Sequence, residues 1–112
     1  MNCEDQAPMQ VQVNHDNHVR IGEEVAQRLT QVLEGSLSQF ADRITRVEMH
    51  LGDENAGKHG DSDKRCMLEA RLRNLDPIAV THQAESLQLA FEGALKKLDH
   101  ALSHAVGKHE TH

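Results

Sequence analysis

Lys97, His100, His104 and Lys108 recur every three or four residues, so on a helix they share one flank, with Lys96 beside them and Glu85, Glu92 and Asp99 on the other. A segregated basic flank grips phosphates, and the same spacing also makes an ordinary solvated helix face. Arg46, Arg65, Arg71 and Arg73 form a second set, on strand faces that also carry Glu48 and Glu69. Each of these arginines is either a phosphate contact or a cross-strand partner of a carboxylate, with pairing slightly favoured. A third group, Asp53, Glu54, His59, Asp61 and Asp63, offers hard oxygen ligands in a glycine-containing stretch. It lacks the ligand spacing of a calcium loop and reads as a solvated loop.

Covalent and metal chemistry have no matching signal. The nine histidines show neither an HExxH nor a Cys/His ligand spacing, and no GxSxG elbow or phosphate-binding loop occurs. An enzyme, a bound cofactor and a small-molecule substrate are therefore not expected. Cys3 and Cys66 make no disulfide framework, and Cys66, inside an alternating apolar run, reads as a small core residue. Two Phe and no Trp or Tyr leave nothing on which bases could stack. With 12 Lys plus Arg against 18 Asp plus Glu, the formal charge of -6 excludes an indiscriminate polyanion binder, so nucleic-acid contact requires a local patch. No apolar run approaches the roughly 20 residues that cross a bilayer, which makes cytoplasmic residence and no membrane partner the default expectation.

The elements that must position these groups follow from periodicity. At 112 residues and 38% hydrophobic, the chain suits one compact domain, expected over residues 9–106 between flexible tails at 1–8 and 107–112. Residues 9–14 alternate as a strand. Val25, Leu29, Val32, Leu33, Leu37 and Phe40 mark a helix from Glu23 to about Gln39, opened by Gly22 and two glutamates suited to the helix dipole. From Ile44 to Leu51 the period is two, with Thr45, Val47, Met49 and Leu51 inward. Gly52 to Asp63 reads as a mobile loop, and Cys66, Leu68, Ala70 and Leu72 mark a third strand. Asn74 to Pro77 reads as a turn, residues 78–82 as a fourth strand, and Ala84 to Val106 as a second helix.

The order β-α-β-β-β-α predicts an α+β fold with a four-stranded mixed sheet: a parallel pair from the strand-helix-strand start, antiparallel neighbours later, and both helices on one face. The expected core comprises Val11, Val13, Leu29, Val47, Leu51, Leu68, Leu72, Val80, Phe91 and Leu98.

Val19-Arg20-Ile21-Gly22-Glu23, Phe40-Ala41-Asp42-Arg43-Ile44-Thr45-Arg46-Val47 and Ala94-Leu95-Lys96-Lys97-Leu98 together resemble the ribosome hibernation-promoting factors, also called ribosome-associated inhibitor A or sigma-54 modulation proteins, over about residues 9–106. Arg43 sits in the family's Asp-Arg-Ile stretch and Lys97 at the basic residue of its Lys-Leu helix motif. The resemblance implies a double-stranded-RNA-binding-like fold and a stress-response factor that regulates translation. Such a factor docks on the small ribosomal subunit, in the channel of tRNA and mRNA, and blocks translation by occupancy. The chain looks like a short form without the family's C-terminal dimerisation domain. The candidate rRNA-binding residues are then Arg28, Arg43, Arg46, Lys96, Lys97, His100, His104 and Lys108. The alternative is a non-enzymatic protein-interaction module on the same fold that uses the charged open sheet face.

Overall fold

A computed structural model of the chain describes residues 9–15, 21–53 and 64–110, with side chains through Gly107. The elements are β1 (Gln10–His15), α1 (Glu23–Ser36), a 3-10 turn (Ser38–Phe40), β2 (Ile44–Asp53), β3 (Lys64–Leu72), β4 (Leu75–Ala84) and α2 (Leu87–Glu110). They form one sheet in the order β1-β2-β3-β4, with β1 parallel to β2 and the other neighbours antiparallel. This is the predicted α+β architecture.

Alternation on the central strands creates the core. Val47, Met49 and Leu51 of β2 and Cys66, Leu68, Ala70 and Leu72 of β3 are buried on one sheet face, where they meet Leu29 and Leu33 of α1 and Phe91, Ala94, Leu98 and Leu102 of α2. Met9, Leu37 and Phe40 close the same cluster. Val11, Val13 and Val80, expected in the core, pack against it only partly buried. All three lie on the edge strands β1 and β4, which have a neighbour on one side only. Val25 and Val32 are exposed, because α1 buries the stripe through Leu29 and Leu33 and turns these two valines to its flank.

Three boundaries differ from the periodicity reading for identifiable local reasons. In β2, Ile44 is buried and Thr45 exposed, since the register shifts between Ile44 and Arg46 and leaves Thr45 as an extra residue. Its hydroxyl donates to the Arg71 carbonyl at 3.2 Å. The β3–β4 turn is tighter than expected and centres on Arg73 and Asn74, with Asn74 in the left-handed region at φ 64°. Pro77 therefore falls inside β4, where an edge strand tolerates its missing N–H.

The helix ends differ too. α1 stops at Ser36, and the 3-10 turn follows, with the Ser38 hydroxyl donating to the Gly35 carbonyl at 3.0 Å. α2 starts at Leu87 because Ser86 caps it: Leu89 N donates to Ser86 Oγ at 3.1 Å. It then continues past Val106 to Glu110. Most of the acid-rich loop, from residue 54 to 63, lies outside the described residues. Asp53 at its start belongs to β2 and pairs with Lys64 across the strands at 3.3 Å.

One close approach positions α2. His82 projects from the core side of β4, opposite Cys66, and a Cβ built on Gly93 would clash with its imidazole ring. Glycine at 93 is what lets α2 settle onto β4.

Candidate nucleic-acid interface

The candidate cations divide between the two layers of the fold. Lys96, Lys97, His100 and His104 project from α2, all exposed, and Arg28 is exposed on α1. Arg46 lies on the far side of the sheet, because its neighbour Val47 points into the core. Arg43 sits in the connection just before β2, half-buried. The side chain of Lys108 lies outside the described residues.

Within α2, successive residues are 100° apart, which sends Lys96 and Lys97 in different directions. Lys97 reaches over the β4 edge and donates from Nζ to the Thr81 carbonyl at 2.8 Å. That bond blunts an edge strand whose outer backbone groups have no ladder partner. Lys96 instead lines a shallow groove of about 420 Å³ between α2 and the end of α1, together with Ser36, Gln39, Glu92, Leu95 and Asp99. Glu92 and Asp99 make the groove acidic without forming an ion pair with Lys96. Glu92 also accepts a hydrogen bond from Gln88 at 2.6 Å.

The open sheet face is a ladder of polar rows. Gln10, Arg46 and Arg71 form one row, Gln12, Glu48 and Glu69 the next, and Asn14, His50 and Met67 the third. A hydrogen-bonded chain runs through the first two strands. Asn14 accepts from Gln12 at 3.3 Å, Arg46 donates to Gln12, and Glu48 lies 3.2 Å from Arg46 Nε and 3.3 Å from His50 Nε2. Arg46 is thus paired with a carboxylate, as the sequence suggested, but the partner stands two residues along the same strand. Directly across the ladder like faces like: Arg46 opposes Arg71, and Glu48 opposes Glu69.

Register also assembles a group that spacing alone did not join. Arg73 N donates to the Arg43 carbonyl at 2.8 Å and Arg73 Nε to the Asp42 carbonyl at 3.1 Å, tying the β3–β4 turn to the segment that enters β2. Arg43, Arg46, Arg71 and Arg73 therefore gather at one end of the sheet. The signal available in sequence was the abundance of arginine in both strands, and the missing knowledge was their pairing register.

Among the described residues, no three His, Cys, Asp or Glu side chains come together as a metal site. Burial pushes the Cys66 thiol up to about 12, which keeps it neutral and makes it a core residue rather than a nucleophile. No helix among the described residues is long and apolar enough to cross a membrane.

No family model and no curated protein matches the sequence. Solved structures do match the backbone. A ribosomal subunit interface protein from Coxiella burnetii superposes with a TM-score of 0.67 at 16% identity, over 88% of this chain and 99% of that one. The N-terminal domain of Thermus thermophilus Protein Y gives a TM-score of 0.64 at 14% identity, over 86% of this chain and 98% of its own. The chain has their fold. At such low identity the likeness is one of element order, sheet topology and helix placement, and it covers nearly the whole of each solved domain.

Proposed function

We propose that this protein is a ribosome-associated factor that sits in the tRNA and mRNA channel of the small subunit and holds translation off by occupancy, in the manner of a hibernation factor. The observation that supports the reading is the fold likeness to a ribosomal subunit interface protein, which extends over 99% of that chain. The chemistry of the surface is compatible. Steric exclusion needs a stable body and a set of phosphate contacts, and it requires neither a catalytic group nor a cofactor. With a net charge of -6, those contacts have to be concentrated in a cationic patch. The exposed lysines and arginines of α2 and the sheet are candidates, and with no Trp or Tyr they act on the backbone without reading bases by stacking.

Sedimentation with purified small subunits tests this directly. The protein pellets with the subunits at low salt, is released as salt rises, and lowers the binding of tRNA to the same particles. A protein that stays in the supernatant at low salt contradicts the reading.

A second reading rests on the face where Glu48 opposes Glu69. A surface with ions of both signs also suits a protein partner, which would bind there with little salt dependence and no requirement for RNA.

A further inference from the structure

Arg46 and Arg71 are direct partners across β2 and β3 on the open face, an arrangement of like charges that destabilises a strand pair. Only one of the two is balanced within the fold. Arg46 is held by Glu48 and Gln12, whereas the exposed Arg71 guanidinium has no hydrogen bond or ion pair among the described residues. Its backbone is nonetheless fixed, because the Thr45 hydroxyl donates to its carbonyl beside the extra residue in β2. Two residues on, Arg73 spends one of its donors, Nε, on the Asp42 carbonyl, which anchors the stem and leaves its terminal nitrogens for another acceptor.

We propose that this end of the sheet, centred on Arg71 and Arg73 with Arg46 beside them, seats phosphodiester groups of RNA. The inference rests on the ribosomal reading for its partner and names the surface that meets it. Guanidinium forks match phosphate oxygens bidentately, and an anion between Arg46 and Arg71 relieves the repulsion that the strand register imposes. The acids nearby are Asp42, Glu48, Glu69 and Asp76: Glu48 is engaged with Arg46 and His50, Asp42 and Asp76 are exposed to solvent, and the half-buried Glu69, in the next row of the same face, forms no ion pair with Arg71. On α2, by contrast, the Lys97 ammonium is already bonded to Thr81 and Lys96 shares its groove with Glu92 and Asp99.

The experiment compares the parent protein with Arg71→Gln and with Arg71→Gln/Arg73→Gln, using two probes: a fluorescently labelled RNA hairpin and purified small subunits, each titrated over a range of salt. Arg71→Gln removes a side chain with no partner among the described residues and relieves its repulsion with Arg46, so its circular dichroism matches the parent and its melting is at or slightly above the parent's, which keeps the test valid if the double variant is destabilised. Binding weakens in both variants, and the slope of log affinity against log salt flattens by about 0.9 for each phosphate that is no longer neutralised. If the parent binds both probes and Arg71→Gln leaves affinity and slope unchanged, the arginine site is overturned while the ribosomal reading stands. If the parent binds the hairpin through these arginines but ignores the small subunit, the site stands and the ribosomal reading falls. Failure of the parent to bind either probe overturns both.

Discussion

Two surfaces of this molecule are rich in cations, and they are built differently. Along α2 the basic residues come from one stretch of sequence, and helical geometry sends them to separate tasks: Lys97 caps the β4 edge and Lys96 enters an acidic groove beside α1. At the end of the sheet the arginines come from β2, from β3 and from the turn that follows, and register brings them together. A charge that helps hold the fold is less free to hold a ligand. What separates the two surfaces is how much of each cation the fold itself uses.

The strongest way to break the comparison is to remove the layer that keeps the surfaces apart. Phe91 and Leu98 are buried in the interface of α2 with the sheet. Phe91→Ala should cost about 3–5 kcal/mol and Leu98→Ala about 2–5 kcal/mol through reduced burial and cavity formation, read from urea unfolding. A loss under about 0.5 kcal/mol, the range of ordinary surface changes, would contradict this packing.

Gly93→Ala is a finer probe of the same interface. The added methyl meets the His82 ring, and the imidazole or the helix has to shift, at a cost of about 1–3 kcal/mol in unfolding free energy. Because Lys97 lies one turn along α2, its bond to Thr81 should loosen as well. An unchanged melting temperature would show that α2 does not depend on this close approach.

Lys97→Met keeps the aliphatic stem and deletes the ammonium, so it separates the edge bond from electrostatics. The exposed bond to Thr81 is worth about 1 kcal/mol or less. The salt slope for RNA should stay at the parent value, in contrast to Arg71→Gln. A flattened slope would return Lys97 to the ligand-binding set.

The smallest effect near neutral pH concerns Cys66, on the core side of β3. Its folded pKa of about 12 exceeds the ordinary 9.0, so its contribution to stability is fully present below pH 9.0. That contribution declines as the unfolded thiol ionises above pH 9.0, and it continues to fall up to about pH 12. Alkylation mapped to Cys66 by mass spectrometry should accordingly be slow in the folded protein and rapid in denaturant. Equal rates in both states would place the thiol outside the core.

Element order and sheet topology were legible because alternation on β2 and β3 and the apolar stripe of α2 are strong periodic signals. The details that periodicity misses depend on pairing or on single caps. Thr45 faces out because of a register shift that no alternation pattern encodes, and Ser86 set the start of α2 where the apolar period ran back to Ala84. Val25 and Val32 fit the helical period but lie beside the buried stripe, a distinction that depends on where α2 and the sheet sit. The same limit governs the candidate site. Spacing placed Lys96 beside the basic flank of α2, and could not show that Ser36 and Gln39 would close a groove over it together with Glu92 and Asp99 of the same helix. Arg71 and Arg73 were readable as sheet-face cations, while their meeting with Arg43 and Arg46 follows from the strand register and from the bonds of the β3–β4 turn.

A cryo-EM reconstruction of the protein bound to purified small subunits tests the central claim most directly. Density for the α+β domain is expected in the tRNA and mRNA channel, with the end of the sheet that carries Arg71 and Arg73 against rRNA phosphates. An empty channel, or a domain held there with that end turned to solvent, would contradict it.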